Sequence, residues 1–148
     1  MALRAASRST AFTAALAIAA ASLLASPAAA ETLSAKLTGA AEKPNAADPD
    51  GAGTAKVTID AAKGEVCYEL SVTGVAPATM AHIHKAPADA AGPVAVPLVK
   101  PDDTGKSKGC ATVDKAVASA IAAAPGDYYV NVHNAEFPAG ALRGQLGK

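Results

Sequence analysis

Polar and apolar residues alternate along most of the chain after residue 30. In "EVCYELSVTG", for example, Val66, Tyr68, Leu70 and Val72 share one side and polar residues occupy the other. Because successive side chains of a β-strand point to opposite faces, this alternation predicts strands with one buried face. Bounded by Gly and Pro turns, the pattern predicts eight strands, at 31–39, 54–60, 65–74, 76–84, 92–99, 110–114, 127–133 and 141–146.

One segment departs from the alternation. Apolar residues in "DKAVASAIAAAPG" recur near helical spacing, with Asp114 as the N-cap and Pro125 and Gly126 as the stop, which predicts a helix over about 115–124. The polar stretch 101–109 is interpreted as a loop, and the prolines of 92–99 confine that strand to an edge or a bulge. From this pattern the predicted fold class is all-β: a β-sandwich or a partly closed barrel of about eight strands with one short helix.

The first thirty residues have the layout of a secretory signal peptide. Arg4 and Arg8 precede the uncharged apolar run 11–25, and Ala28 and Ala30 provide small residues before a cleavage point. We therefore predict a signal peptide at 1–30, a single domain at 31–148 and a secreted or periplasmic protein. The alternative is an uncleaved N-terminal anchor, although the run is short for a membrane span.

Charge and cysteine content narrow the function classes. The formal net charge is zero, and acidic and basic residues are mixed without a basic run, so neither nucleic acid nor an anionic membrane surface is an expected partner. The two cysteines, Cys67 and Cys110, are both in the predicted exported part, where a disulfide is the simplest outcome. A thiol metal site is the alternative, but the two cysteines lack the close spacing typical of one.

All three histidines occur in two predicted strands. His82 and His84 fall opposite the apolar set of 76–84, and His133 falls opposite the apolar set of 127–133, so all three should point away from the core. Imidazoles at i and i+2, with a third from a neighbouring strand, can converge on copper or zinc and leave one position open. Solvated surface polarity and metal-free histidine catalysis are the alternatives. Motifs for a serine nucleophile, phosphate or a dinucleotide do not occur.

Several motifs, in order, resemble the CHRD domain, the repeat module first named in chordin. They extend over nearly the whole of 31–148: "LTGAAEKP", "GTAKVTID", "GEVCYELSVTGV", "AHIHKAPADAAGPVAVPL", "GCATVD" and "PGDYYVNVHNAEFPAGALRGQL". The resemblance implies a β-rich, immunoglobulin-like or barrel-like domain in an extracytoplasmic bacterial protein of undefined activity. The animal namesake binds growth factors, but a single-domain bacterial chain does not inherit that partner.

The resemblance can be followed residue by residue. The family's His-x-His falls on His82 and His84, and the usual glycine beyond it is replaced by Ala86. The remaining family motifs fall on Ala41, Glu42, Lys43 and Pro44; on Asn131, Val132 and His133; and on Pro138, Gly140, Arg143, Gly144 and Gln145.

A looser similarity is to copper–zinc superoxide dismutase, whose copper site also begins with His-x-His on a Greek-key barrel. This chain has neither a histidine-rich zinc loop nor a fourth copper histidine. Arg143 is expected on the histidine side, either pairing with Glu136 or a carbonyl, which we favour, or guiding an anion.

Three functions remain open. We favour a non-enzymatic binding module for an unidentified extracytoplasmic protein or ligand, with copper or zinc as its candidate ion and no other cofactor. The alternatives are a superoxide dismutase-like copper enzyme and a structural or adhesive module. The candidate site consists of His82, His84 and His133 as metal ligands, with Tyr129 and Arg143 as further binding residues.

Overall fold

A computed structural model describes residues 29–148. Eight strands form a single antiparallel sheet in the order β5-β4-β7-β8-β1-β2-β3-β6. The sheet curves into a nearly closed barrel, so the barrel alternative describes this chain. The strands are β1 (Glu31–Thr38), β2 (Ala52–Asp60), β3 (Glu65–Thr73), β4 (Ala78–Lys85), β5 (Val94–Leu98), β6 (Lys106–Thr112), β7 (Tyr128–Asn134) and β8 (Leu142–Gln145).

The core fills the inside of this barrel, and in most strands every second side chain is buried, as the alternation predicts. Among the exceptions are β6, in which no side chain is fully buried, and β7, in which all of them are. In β3, Val66, Tyr68, Leu70 and Val72 are buried while their neighbours are exposed or half-buried. The backbones of β8 and β1 lie close together at Gly144. A side chain there would clash, since a Cβ on Gly144 would lie 2.2 Å from the carbonyl oxygen of Lys36. The largest apolar side chains with almost no exposed surface are Leu33, Leu37, Val57, Ile59, Val66, Ile83, Val96, Ile121, Val130, Val132 and Leu142.

Within residues 29–148 the one α-helix, α1 (Lys115–Ala123), follows β6 and lies against β2 and β3. Asp114 caps it as predicted, because its Oδ1 accepts a hydrogen bond of 2.7 Å from the amide of Ala116. The helix buries Ala118 and Ile121 and ends before Pro125, which begins a short 3₁₀ turn. Another 3₁₀ turn, Gly39–Ala41, follows β1.

The edge strands β5 and β6 approach each other at the seam of the barrel without forming a ladder. The amide of Val99, just after β5, donates to Tyr68 Oη at 2.8 Å, and Ser107 Oγ of β6 donates to the carbonyl of Val99 at 2.6 Å. Side chains therefore bridge the seam. The edge position predicted for 92–99 is confirmed, and a register shift lies between Ile83 and His84 in the adjoining β4.

The interpretation of 101–109 as a loop is wrong in its second half, because β6 begins at Lys106. Residues 106–109 are polar and alternate only weakly, but their backbone pairs with Tyr68–Ser71 of β3. An edge strand can carry polar side chains on both faces when its backbone hydrogen bonds are satisfied on one side. The strand also ends at Thr112 rather than at residue 114.

Cys67 and Cys110 form a disulfide at directly paired positions of β3 and β6. Cys110 is exposed and Cys67 is half-buried, so the bond links the outer face, as the alternation predicts, and does not cross the core. It fastens an edge strand to its one neighbour in the sheet.

Replacing both cysteines, as Cys67→Ser/Cys110→Ser, should lower the free energy of unfolding by about 4 kcal/mol, because the disulfide closes a loop between residues 43 apart in sequence. Urea unfolding monitored by circular dichroism measures this loss. Reductant should lower the stability of the wild-type protein to the same value and leave the double variant unchanged. Equal stability of the oxidised wild type and the double variant would contradict the prediction.

Candidate metal site

The three histidines lie on the outer face of adjoining strands. In the pairing of β4 with β7, Met80 is opposite His133, His82 is opposite Asn131, and His84 is opposite Tyr129. These residues alternate with core residues, so all six side chains lie on the same outer surface. Strand β8 extends this surface, because Arg143 pairs with Asn131, and Gln145 pairs with Tyr129.

The β7 part of this outer surface is not open to solvent, because every residue of β7 is buried. Two loops contact it: residues 86–93, which follow β4, and residues 135–141, which follow β7. His133 is only 6% exposed as a result. The alternation predicts that the histidines face either solvent or an overlying loop. His133 of β7 faces a loop, whereas His82 and His84 of β4 are half-buried.

One nitrogen from each of the three rings lies within 4.8 Å of one nitrogen in each of the others. The closest contact is 3.1 Å, between His82 Nδ1 and His133 Nε2. Two nitrogens bound tetrahedrally to one zinc ion would be about 3.3–3.4 Å apart, given Zn–N bonds of about 2.0–2.1 Å. The cluster therefore has dimensions close to those of a three-histidine site.

Backbone carbonyls fix the tautomers of two of the rings. His84 Nδ1 is 2.9 Å from the carbonyl oxygen of Gly92, and His133 Nδ1 is 3.0 Å from that of Pro138. A carbonyl only accepts, so each Nδ1 carries a proton and each Nε2 presents a lone pair. Such bonds from the far nitrogen are typical of metal-binding histidines.

His84 Nε2 is buried and has no hydrogen-bond partner among the described residues. A buried polar atom without a partner carries a desolvation cost, so it calls for a specific explanation. Because Nδ1 of the same ring is already bonded to Gly92, Nε2 is the nitrogen that remains for a ligand.

Burial also favours the neutral form of the rings. Desolvation is the main cause that lowers the pKa of His82, His84 and His133, and the pKa of His82 is lowered further by charge repulsion from its two neighbours. Neutral imidazole is the form that binds a metal ion.

Tyr129 and Arg143 support the cluster from one side. The Tyr129 ring stacks on His84 with centroids 4.9 Å apart, and the Arg143 guanidinium carbon lies 3.5 Å from the Tyr129 ring centroid. Arg143 Nη2 donates to the carbonyl of Pro87 at 2.8 Å, and the amide of Gly92 donates to Tyr129 Oη at 3.3 Å. The stack thus fastens the loop that supplies the carbonyl partner of His84.

Arg143, predicted as a further binding residue of the candidate site, is 1% exposed, so its guanidinium does not face solvent. The favoured interpretation, pairing with a carbonyl, is confirmed by its bond to Pro87, and Nη2 also donates to Gln145 Oε1 at 3.3 Å. Tyr129 is likewise buried. Tyr129 contacts the histidine cluster through His84, and Arg143 contacts Tyr129 rather than the histidines.

Glu42, to which the sequence pattern assigns no role, is buried beside β7. Asn131 Nδ2 donates to Glu42 Oε1 and also to the carbonyl of Leu142 at 3.2 Å. Burial raises the pKa of Glu42 to about 7, although the nearby Arg143 charge opposes this rise. A charged residue in a Pro- and Asn-containing loop gives no sequence signal of burial, and only the family motif draws attention to it.

A second group of metal-binding residue types comprises Glu65, Cys67 and Cys110. Its two sulfurs are joined in the disulfide, so they are not thiolate ligands. Within residues 29–148, the histidine cluster is therefore the stronger candidate.

Glu42 should make folding stability depend on pH. Its folded pKa of about 7 lies above the unfolded value of 4.5, so its protonated form stabilises the fold fully below pH 4.5. That contribution is lost as the pH rises towards 7. Glu42→Gln, which stays neutral and can still accept from Asn131, should match the wild type near pH 4.5 and exceed it in stability above pH 7.

The stability difference between wild type and Glu42→Gln, measured by urea unfolding at pH values from 4.5 to 8.5, isolates Glu42 from the histidines. The histidines titrate over part of this range in both proteins and cancel in the difference. A difference that does not vary with pH would contradict the prediction.

Comparison with known proteins gives the family of the chain. Within residues 29–148, no helix is long and apolar enough to span a membrane. Neither a curated protein nor a solved structure matches the sequence. The family model of the CHRD domain matches residues 33–146, from β1 to the residue after β8, and thus includes all three histidines and both cysteines. The chain therefore belongs to the CHRD domain family.

Proposed function

We propose that this protein is an extracytoplasmic metal-binding module that holds one copper or zinc ion through His82, His84 and His133. The observation that carries the proposal is the buried, unpartnered Nε2 of His84 within a cluster of three imidazoles. A metal ion would satisfy that nitrogen and relieve its desolvation cost.

The hydrogen bonds around the cluster support binding rather than simple surface polarity. Solvated histidines on an exposed strand would need no fixed tautomer, whereas His84 and His133 each donate to a backbone carbonyl. His82 Nδ1 and His133 Nε2 share one hydrogen bond, which an ion between them would replace with two metal–nitrogen bonds. Three protein nitrogens would leave one position of a tetrahedral ion for a further ligand.

We favour a binding role over superoxide dismutation. A positive group that faces solvent would speed the approach of an anionic substrate, whereas Arg143 is buried against Tyr129 and bonded to Pro87. A location outside the cytoplasm rests on the predicted signal peptide, which except for residues 29 and 30 lies outside the described residues, and on the disulfide, which is typical of oxidising compartments.

Metal binding can be tested on chelator-stripped protein titrated with Zn²⁺ or Cu²⁺ against a competing chromophoric chelator. We expect one equivalent to bind, and His82→Ala or His133→Ala to lower the affinity at least about 100-fold, since even loss of a hydrogen-bond partner of a ligand costs about 10–100-fold. Bound metal should also raise the melting temperature of the wild type, because only the folded chain presents the cluster.

Thr79→Ala is the matched control, because Thr79 is an exposed residue of β4 that lies between buried and cluster-facing positions. It should bind metal as the wild type does. Failure of the wild type to bind either ion, or equal affinity in the histidine variants, would refute the proposal. Turnover of superoxide by the copper-loaded protein would favour the enzyme instead.

A further inference from the structure

Met80 lies at the outer edge of the histidine cluster. It is directly opposite His133 in the pairing of β4 with β7, and it shares the outer face of β4 with His82, two residues along. Directly opposed residues of antiparallel strands have Cβ atoms about 4.5–5.5 Å apart, so Met80 is an immediate neighbour of one candidate ligand.

Core packing does not account for this methionine. Its side chain is 47% exposed, and in the part of the chain that the structure describes only Val94 and Val99 are other large apolar residues with comparable exposure. A threonine would suit an exposed strand position better. The exposure instead leaves the thioether free to turn towards the cluster or away from it.

The methionine side chain is able to reach an ion held by the imidazoles. It is unbranched and has three rotatable bonds, so its sulfur can adopt many positions around a fixed Cβ. Among residues 29–148, Met80 is the only methionine, and the two cysteine sulfurs are engaged in the disulfide between β3 and β6. Met80 is therefore the one sulfur ligand available at this site.

A thioether changes which metal the site prefers. Zinc in proteins is bound by nitrogen, carboxylate oxygen and thiolate, whereas soft thioether ligands select Cu(I). Three imidazoles alone suit both metals. The identity of the fourth ligand thus decides between them.

We propose that Met80 provides the fourth ligand of the histidine cluster through its sulfur and makes the site selective for Cu(I). This inference rests on the proposed function, since it takes the three imidazoles as the other ligands. The thioether enters from the solvent-exposed end of the cluster, beside the half-buried His82.

The test compares wild type with Met80→Leu, which keeps an apolar side chain of similar volume and removes only the sulfur. Cu(I) affinity is measured without oxygen by competition with bicinchoninate, with ascorbate as the reductant. Zn²⁺ affinity is measured in parallel. We expect Met80→Leu to weaken Cu(I) binding at least about 10-fold and to change Zn²⁺ binding by less than about twofold.

Two controls separate the sulfur from other effects. Val99→Ala, which shortens an exposed apolar side chain outside the cluster, should leave both affinities unchanged. Met80→His, which restores a nitrogen ligand, should bind Zn²⁺ at least as tightly as the wild type but remain weakened for Cu(I). X-ray absorption of the Cu(I)-loaded wild type should show one sulfur neighbour that is absent in Met80→Leu.

The outcomes distinguish the two proposals. If the wild type binds Zn²⁺ or Cu²⁺ through the histidines but Met80→Leu retains full Cu(I) affinity, or if the loaded wild type shows no copper–sulfur contact, the role of Met80 is refuted and the metal-binding function stands. If no ion binds at all, both proposals fail together.

Discussion

Strand β7 is buried on both faces, and the rest of the site follows from this constraint. One face supplies Val130 and Val132 to the core, while the other carries Asn131 and His133 beneath overlying loops. Polar side chains in such a place must find hydrogen-bond partners or carry a desolvation cost. Asn131 finds Glu42, and His133 finds the carbonyl of Pro138.

The loops that cover this face are themselves held by the polar residues beneath them. Arg143 and Gln145 of β8 donate to the carbonyls of Pro87 and Ala86, and Tyr129 Oη accepts from the amide of Gly92. A loop that is bonded at three points is well placed to orient the ring of His84 through the Gly92 carbonyl. A small protein has little core volume in which to bury imidazoles. This chain instead holds them on the outer wall of the barrel, where the loops remove much of the surrounding solvent.

Local periodicity is the part of the structure that the sequence predicted well. Alternation in β4 and β7 places all three histidines opposite the apolar set, and the same alternation places the cysteines on the outer face. The helix was also predicted, since the Asp114 cap and Pro125 are local signals. Strand β6 was partly missed because its first residues, 106–109, are polar and gain their conformation from pairing with β3.

Burial of the outer face was beyond sequence reasoning for a physical reason. Whether a polar residue opposite the core meets water or a loop depends on contacts between segments far apart in sequence, such as Glu42 with Asn131 and Arg143 with Pro87. Alternation reports the face of a strand but not what covers it. Hence Arg143 and Tyr129 were correctly placed beside the histidines, while their near-complete burial was not predicted.

The seam between β5 and β6 lies next to the strand that carries two of the histidines. Within the sheet, β5 pairs only with β4, the strand that carries Met80, His82 and His84. Edge strands that are paired on one side are where backbone amides exchange with solvent through local opening at low free-energy cost. An ion bound to both β4 and β7 would therefore slow deuterium uptake at its ligands and also along β5. Deuterium uptake at this edge of the barrel would thus measure the fraction of protein that holds an ion.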